Sequence, residues 1–217
     1  MNKQGFLFVF LISAAILWSQ GVRAQEAAQS QAQIQQSQLS EQAKVIQEFN
    51  DALIAAMKGG KELGYEGRYK LLEPVIDKTF AMSYMASRSL GRYWKPLSDA
   101  DKKAFLDLYR QWSIAQYAEN FDEYDNQSFK IVSESESARG LFTVNTDFTK
   151  PIGDIIEFNY QLRKIKDHWR IVDIFISGVS QLANTRSQFM TIMKKQGLEG
   201  LSAEMKQKIE MFSSKKD

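Results

Sequence analysis

Residues 141–176 read LFTVNTDFTKPIGDIIEFNYQLRKIKDHWRIVDIFI, and this stretch decides the fold class. Phe142, Val144 and Phe148 alternate with Thr143, Asn145 and Asp147. After Lys150-Pro151-Ile152-Gly153, Ile156, Phe158, Tyr160 and Leu162 alternate with Glu157, Asn159, Gln161 and Arg163. A period of two with β-branched and aromatic residues on one side is the mark of half-buried antiparallel strands. Lys166-Asp167-His168 marks another turn. The last run, Trp169 to Ile176, is apolar on both sides except at Asp173, which predicts a strand covered on both faces. Trp169, Ile171 and Phe175 should share one face, and Val172, Ile174 and Ile176 the other. Upstream, Phe129 and Ile131 alternate with Lys130, and Glu136-Ser137-Ala138-Arg139-Gly140 reads as the connecting turn. The expectation is a strongly curved meander of four strands.

Helical spacing flanks this sheet on both sides. From Glu41 to Lys58, Val45, Ile46, Phe49, Leu53 and Met57 recur at three and four, and Gly59-Gly60 should stop the helix. Pro74 biases Glu73 away from the helical region, so Tyr65 to Phe80 should form two short pieces, with another from Met82 to Leu90. Ser98, followed by Asp99 and Asp101, opens a long helix to about Phe121. At 100° per residue that helix puts Phe105, Leu108, Tyr109, Trp112 and Ala115 on one face, with Ile114, Tyr117, Ala118 and Phe121 nearly opposite. It is either sandwiched between two core layers, or bent, or turns one face to a cavity. Val179, Leu182, Ala183, Phe189, Met190 and Met193 form one closing stripe. Leu201, Met205, Ile209 and Phe212 form a second after Gly197 and Gly200. Helices, a bent antiparallel meander and helices again make an α+β domain over residues 41–213.

The amino terminus has another character. Lys3, the apolar run Phe6 to Trp18 and Val22-Arg23-Ala24 form a secretory leader, with cleavage expected after Ala24; the apolar run of 13 residues is short for a bilayer span of roughly 20. Residues 25–40 (QEAAQSQAQIQQSQLS) are Gln-rich with few large apolar groups and read as a disordered arm, as do 214–217 at the other end. The chain carries 28 basic and 26 acidic residues; the leader contains Lys3 and Arg23 and no acid, so the remainder is neutral. Its scattered basic pairs offer no footprint for a nucleic-acid backbone. No cysteine is present and His168 is the single histidine, which removes thiol chemistry, disulfides and most zinc sites. The secretory leader without cysteine places the protein in the periplasm.

A sheet cupped over helices leaves a space that either fills with side chains or holds an apolar ligand. The two-faced helix, the two-faced last strand and eight methionines point to a cavity, although a filled core uses the same residues. If a cavity exists, Phe142, Val144, Phe158, Tyr160, Val172 and Ile174 should line it from the sheet, and Met85, Tyr117 and Phe121 from the helices. Asp173 is either a general base in that pocket or a carboxylate at a strand edge or paired with an arginine, for which Arg186 is the candidate. No phosphate loop, nucleophile elbow or metal-ligand spacing accompanies it.

Met82-Ser83-Tyr84-Met85-Ala86, Leu90-Gly91-Arg92-Tyr93-Trp94, Leu97-Ser98, Trp169-Arg170-Ile171-Val172-Asp173-Ile174, Gly178-Val179-Ser180 and Gly197-Leu198-Glu199-Gly200-Leu201 occur in this order. Together they resemble the MlaC, or toluene-tolerance, family of periplasmic lipid carriers, over about Lys44 to Lys208. Ser113 to Asp122 and Thr185 to Phe189 are more similar to its HpnM branch, which is associated with hopanoid biosynthesis. The resemblance implies a sheet related to the cone-shaped NTF2-like folds, whose cavity takes lipid tails as cargo, with no cofactor and no catalytic residue. It also implies an inner-membrane ABC transport complex with a lipid-transfer protein, and an outer-membrane acceptor, as partners. The expected function is a soluble carrier of phospholipid or a hopanoid-type lipid. The alternatives are a cone-fold enzyme acting on an isoprenoid-like substrate through Asp173, and a ligand-free adaptor of the membrane complex.

Overall fold

The computed structural model describes residues 39–137 and 140–214. The leader and most of the arm, like residues 138, 139 and 215–217, lie outside the described residues. The chain divides after Ser40. The unit that begins at Glu41 is α+β, with four helices and one antiparallel sheet. The helices are α1 (Glu41–Thr79), α2 (Met82–Leu90), α3 (Asp99–Asn120) and α4 (Gln181–Ser214). The strands are β1 (Ser128–Ser137), β2 (Leu141–Thr149), β3 (Ile155–Ile165), β4 (His168–Ile176) and β5 (Val179–Ser180), paired in chain order. The sheet therefore has five strands where four were expected: Val179 and Ser180 pair back onto Ile176 and Phe175 before α4 begins. Val179, expected in the buried helical stripe, is instead exposed, while Phe189 and Met193 of that stripe are buried.

Helix α1 departs from expectation in a second way. It passes through Pro74. The loss of one backbone hydrogen bond and the ring clash cost about 3 kcal/mol, but Leu72 and Ile76 on either side are fully buried and hold the turn in place. The real interruptions are Gly60 (φ 41°) and Gly64 (φ 59°), the first of them within the expected Gly59-Gly60 stop. At Gly60 the left-handed backbone and a close approach to the Asp122 carbonyl, 3.2 Å from where a Cβ would sit, both favour glycine. Helix α4 kinks in the same manner at Gly197 (φ 67°). Helix α3 starts where expected: Ser98 Oγ accepts from Asp101 N–H at 3.1 Å.

The register of β4 overturns the expected faces of the last strand. Gln161 pairs with Asp173 but Leu162 pairs with Ile171, so Val172 is an extra residue. A bulge of this kind shifts the alternation by one. Trp169 and Ile171 thereby come to the same side as Ile174 and Ile176, and Val172 leaves it. The displaced Ile171 carbonyl accepts from Ala81 N–H at 2.9 Å, which ties the α1–α2 junction to the bulge. A second bulge in β1 sets aside Val132, which is half exposed.

The core forms two apolar clusters with α3 between them. One contains Ile46, Phe49, Leu53, Ile114, Ala118, Val144, Tyr160, Leu162 and Ile171, so it joins α1 and α3 to the sheet. The other contains Leu90, Phe105, Leu108, Tyr109, Trp112, Phe189, Met193 and Leu201, so it joins α3 to α2 and α4. The two-faced helix is thus sandwiched between two core layers over part of its circumference. On the solvent side, Arg110 forks onto Asp77 at 2.6 Å and reaches Glu73 at 2.7 Å, fastening α3 to α1.

Candidate functional site: an apolar cavity between helix α3 and the sheet

Where the two clusters meet beside α3, the packing stays open. The space measures about 540 Å³, within the range of about 300–1,000 Å³ usual for ligand sites. Tyr109, Trp112, Ser113, Gln116, Tyr117 and Asn120 of α3 border it. Their spacing of three and four makes them one stripe of that helix, running between its two packed faces. Phe49 and Met57 of α1, Phe80 and Met85, Phe148 of β2, Phe158 of β3, Ile174 and Ile176 of β4 and Leu182 of α4 complete the apolar walls.

Aromatic edges stiffen the inner end. Phe49 meets Phe80, Tyr117 and Tyr160 in near-perpendicular contacts with centroids 4.9, 5.2 and 6.2 Å apart. Phe121, Phe148, Phe129 and Phe158 form a second aromatic group, with centroids 4.6 to 6.4 Å apart. The rim is polar: Gln116, Asn120, Asp122, Glu123, Gln127, Lys150, Gln181 and Thr185. Beyond the rim residue Pro151, Ile152 is 84% exposed.

Of the nine residues expected to line a cavity, the structure brings five together around this one: Met85, Tyr117, Phe121, Phe158 and Ile174. The other four lie elsewhere. Val144 and Tyr160 are fully buried in the sheet-side cluster. The Tyr160 hydroxyl donates to Asn50 Oδ1 at 2.6 Å. Phe142 packs on Trp169 at the far end of the sheet, and Val172 is the bulge residue. Phe49, Met57, Phe80, Tyr109, Trp112, Phe148, Ile176 and Leu182 border the cavity without having been expected there. For Phe148 the sequence does hold a signal, since it continues the alternation of Phe142 and Val144. Tyr109 and Trp112 belong to the packed face of α3, and the cavity draws on both.

Asp173 has a structural occupation. Its carboxylate accepts from the N–H groups of Ile174 (2.8 Å) and Leu182 (3.0 Å) and from Ser180 Oγ (2.6 Å). Ser180 Oγ in turn accepts from Ala183 N–H at 2.9 Å. The pair thus caps the positive end of α4. Arg186, the expected partner, is exposed and lies over Gly91 instead, its guanidinium 3.0 Å from where a Cβ would sit. Burial raises the Tyr109 and Tyr117 hydroxyls well above the usual tyrosine range, and the Asp173 charge adds to it. Among the described residues no group of three or more His, Cys, Asp or Glu could hold a metal ion, and no helix is long and apolar enough to cross a membrane.

Buried Arg68 braces the site. Its Nε–H donates to the Ala118 carbonyl at 2.8 Å and a terminal N–H to the Gly60 carbonyl at 2.9 Å, joining the first kink of α1 to the last turn of α3. No spacing in the sequence marks it.

The model of the MlaC protein family matches residues 47–207. The intermembrane phospholipid transport system binding protein MlaC of Haemophilus influenzae is 26% identical over 132 residues, which cover 58% of this chain and 61% of that protein. A phospholipid-binding protein from Ralstonia solanacearum, solved in complex with a phospholipid, superposes with a TM-score of 0.70 at 19% identity, over 81% of this chain and the whole of that one. The last shows a shared fold, and the family model spans the unit that carries the cavity: the chain belongs to the MlaC family.

Proposed function

We propose that this protein is a carrier that takes the apolar part of a membrane lipid into the cavity beside α3 and leaves the head group among the polar rim residues. The observation that carries the reading is the cavity: about 540 Å³ with apolar walls and a polar mouth. The curved sheet serves as the cone that encloses the cargo. A relative named for an intermembrane phospholipid transport system and a structural neighbour that holds a phospholipid favour phospholipid. The HpnM resemblance favours a hopanoid-type lipid, and it falls on Ser113 to Asp122 and Thr185, several of which border the cavity. Carriage is needed because each buried methylene is worth about 0.8 kcal/mol, so exposing a 16-carbon tail to water costs on the order of 12 kcal/mol.

With the leader at residues 1–24, the carrier works in the periplasm. It shuttles between an inner-membrane ABC complex with its lipid-transfer protein and an outer-membrane acceptor. The occupation of Asp173 in capping α4 supports a binding protein rather than an enzyme. Mass spectrometry of an organic extract from natively purified protein tests this. One intact lipid per protein is the expected result. An altered lipid after incubation would make it an enzyme, and protein without lipid would make it an adaptor.

A further inference from the structure

Tyr117 stands on the cavity wall at its inner end. Its ring is held by Phe49, Phe80 and Phe121, with centroids 5.2, 5.8 and 6.1 Å away. A phenylalanine would make the same ring contacts, so packing does not account for the hydroxyl. Among the described residues no group hydrogen-bonds it, whereas the neighbouring Tyr160 hydroxyl is taken up by Asn50. The Trp112 Nε1–H is also without a partner, but it is sealed inside protein. The Tyr117 hydroxyl is not sealed, and the residue keeps accessible surface where it borders the cavity. Burial holds that hydroxyl above the usual tyrosine range, so at neutral pH it presents a proton to whatever fills the space. Tyr109 and Ser113 precede it at intervals of four on the stripe of α3 that borders the cavity, and Ser113 hydrogen-bonds the Tyr109 hydroxyl. Three hydroxyl-bearing residues thus run down a wall otherwise faced by Phe49, Phe80, Met85, Phe158 and Ile174.

A plain hydrocarbon tail filling this space would cover the Tyr117 hydroxyl and give it nothing to bond, which opposes binding. A tail with an oxygen at that level removes the penalty. We propose that Tyr117 donates to a hydroxyl or carbonyl oxygen set within the apolar part of the bound lipid, so that the cavity favours lipids whose hydrocarbon portion is oxygenated. A hydroxylated acyl chain and an oxygen-bearing polycyclic body both supply that chemistry. This rests on the carrier function proposed for the cavity. It adds a feature of the cargo's apolar part and the residue that recognises it.

The test uses delipidated full-length protein carrying a fluorescent lipid, displaced by phosphatidylcholines that share one palmitoyl chain. The second chain is stearoyl, or stearoyl with a single hydroxyl at carbon 3, 6, 9 or 12. One position, or two adjacent ones, should bind about 2- to 10-fold more tightly than the plain chain, the range of one net hydrogen bond, and the others should not. A second arm compares diplopterol with diploptene, a polycyclic alcohol and its hydrocarbon counterpart; a gain confined to one arm identifies which source supplies the oxygen. Tyr117→Phe should keep the affinity for the plain lipid and lose the preference. If that variant does not fold, the dependence on hydroxyl position in the unsubstituted protein decides, since greater solubility alone would raise every position alike. No gain in either arm, an equal gain at every position, or an undiminished preference in Tyr117→Phe would each overturn the inference while leaving the carrier function in place. Binding of no lipid in either arm would remove both.

Discussion

At one end of the sheet Leu162 pairs with Ile171 and with Phe142, Trp169 packs on Phe142, and Leu162 and Ile171 are fully buried in the cluster they share with α1. At the other end Phe148, Phe158, Ile174 and Ile176 border the cavity. The two ends use the same strands, the same face and the same residue types, and they are held differently. The filled end rests on close packing, where Val144, Leu162 and Ile171 are all fully buried. The open end lacks some of those contacts, and its frame is braced by Arg68 on two carbonyls and by the Phe49 aromatic contacts. A binding site in this fold is thus a place where packing has been replaced by a polar brace and aromatic edges, and the two ends should respond oppositely to the same kinds of substitution.

The largest effect is expected at the filled end. Leu162→Ala should lower stability by about 2–5 kcal/mol, through lost transfer energy and the void left behind, whereas Ile176→Ala on the cavity wall should cost about 1 kcal/mol, since that side chain is only half buried. Urea midpoints on delipidated protein measure both; equal losses would mean that the two ends are packed alike.

Next comes the brace. Arg68→Met keeps much of the volume but deletes the charge-assisted hydrogen bonds to the Ala118 and Gly60 carbonyls; at about 1.5 kcal/mol each, the low end for such bonds, a loss of about 3 kcal/mol is expected. Loss of lipid affinity should accompany it, because the α1 kink and the end of α3 would no longer be joined. Unchanged stability with normal lipid content would show that packing alone holds the open end.

Added bulk should separate the ends by sign of function rather than by stability alone. Val144→Trp overpacks a full core and should cost about 1–3 kcal/mol, while Met85→Trp projects into existing space and should change stability by less than about 1 kcal/mol. Met85→Trp should also exclude lipid. Stability and bound lipid must be measured on delipidated and native samples alike, because the ligand stabilises whatever binds it. If Met85→Trp retains a full complement of lipid, the cavity is not the site.

The last effect, small near pH 10, is a pH dependence at the boundary of the two ends. Burial raises the Tyr160 hydroxyl well above its ordinary value of 10.0, so the folded state keeps a proton that the unfolded chain releases. The associated stability is complete below about pH 10 and is lost as pH rises toward the folded value, by at most about 1.4 kcal/mol per pH unit. Tyr160→Phe should flatten that decline between about pH 10 and 12. An equally steep decline in the variant would remove Tyr160 as a contributor.

Much of the architecture is legible in local pattern. A period of two over Phe142 to Leu162 and a period near 3.6 over Val45 to Met57 depend on residues close in sequence, and Ser98 begins α3 because its cap bond spans three residues. The features that local pattern misplaces have a partner far away. Pro74 stays helical because Leu72 and Ile76 are buried by the rest of the fold. Val172 is extruded where Ile171 bonds to Ala81, 90 positions earlier in the chain, and this took Val172 out of the expected cavity wall while Ile174 stayed in it. Asp173 found Ser180 and the start of α4 rather than Arg186.

The sequence by itself therefore determined the class of the fold, the apolar face of β2 and β3 and the two-sidedness of α3, since alternation and helical spacing are set by backbone geometry alone. It determined family membership too, through segments whose order and spacing are recognisable. Which end of the apolar face is filled and which stays open was decided only in the tertiary structure. Hydrophobic burial is nondirectional and rewards Val144 and Phe158 alike; whether a neighbour arrives to complete the packing depends on where the α1 kinks, the β4 bulge and the Arg68 brace hold the helices.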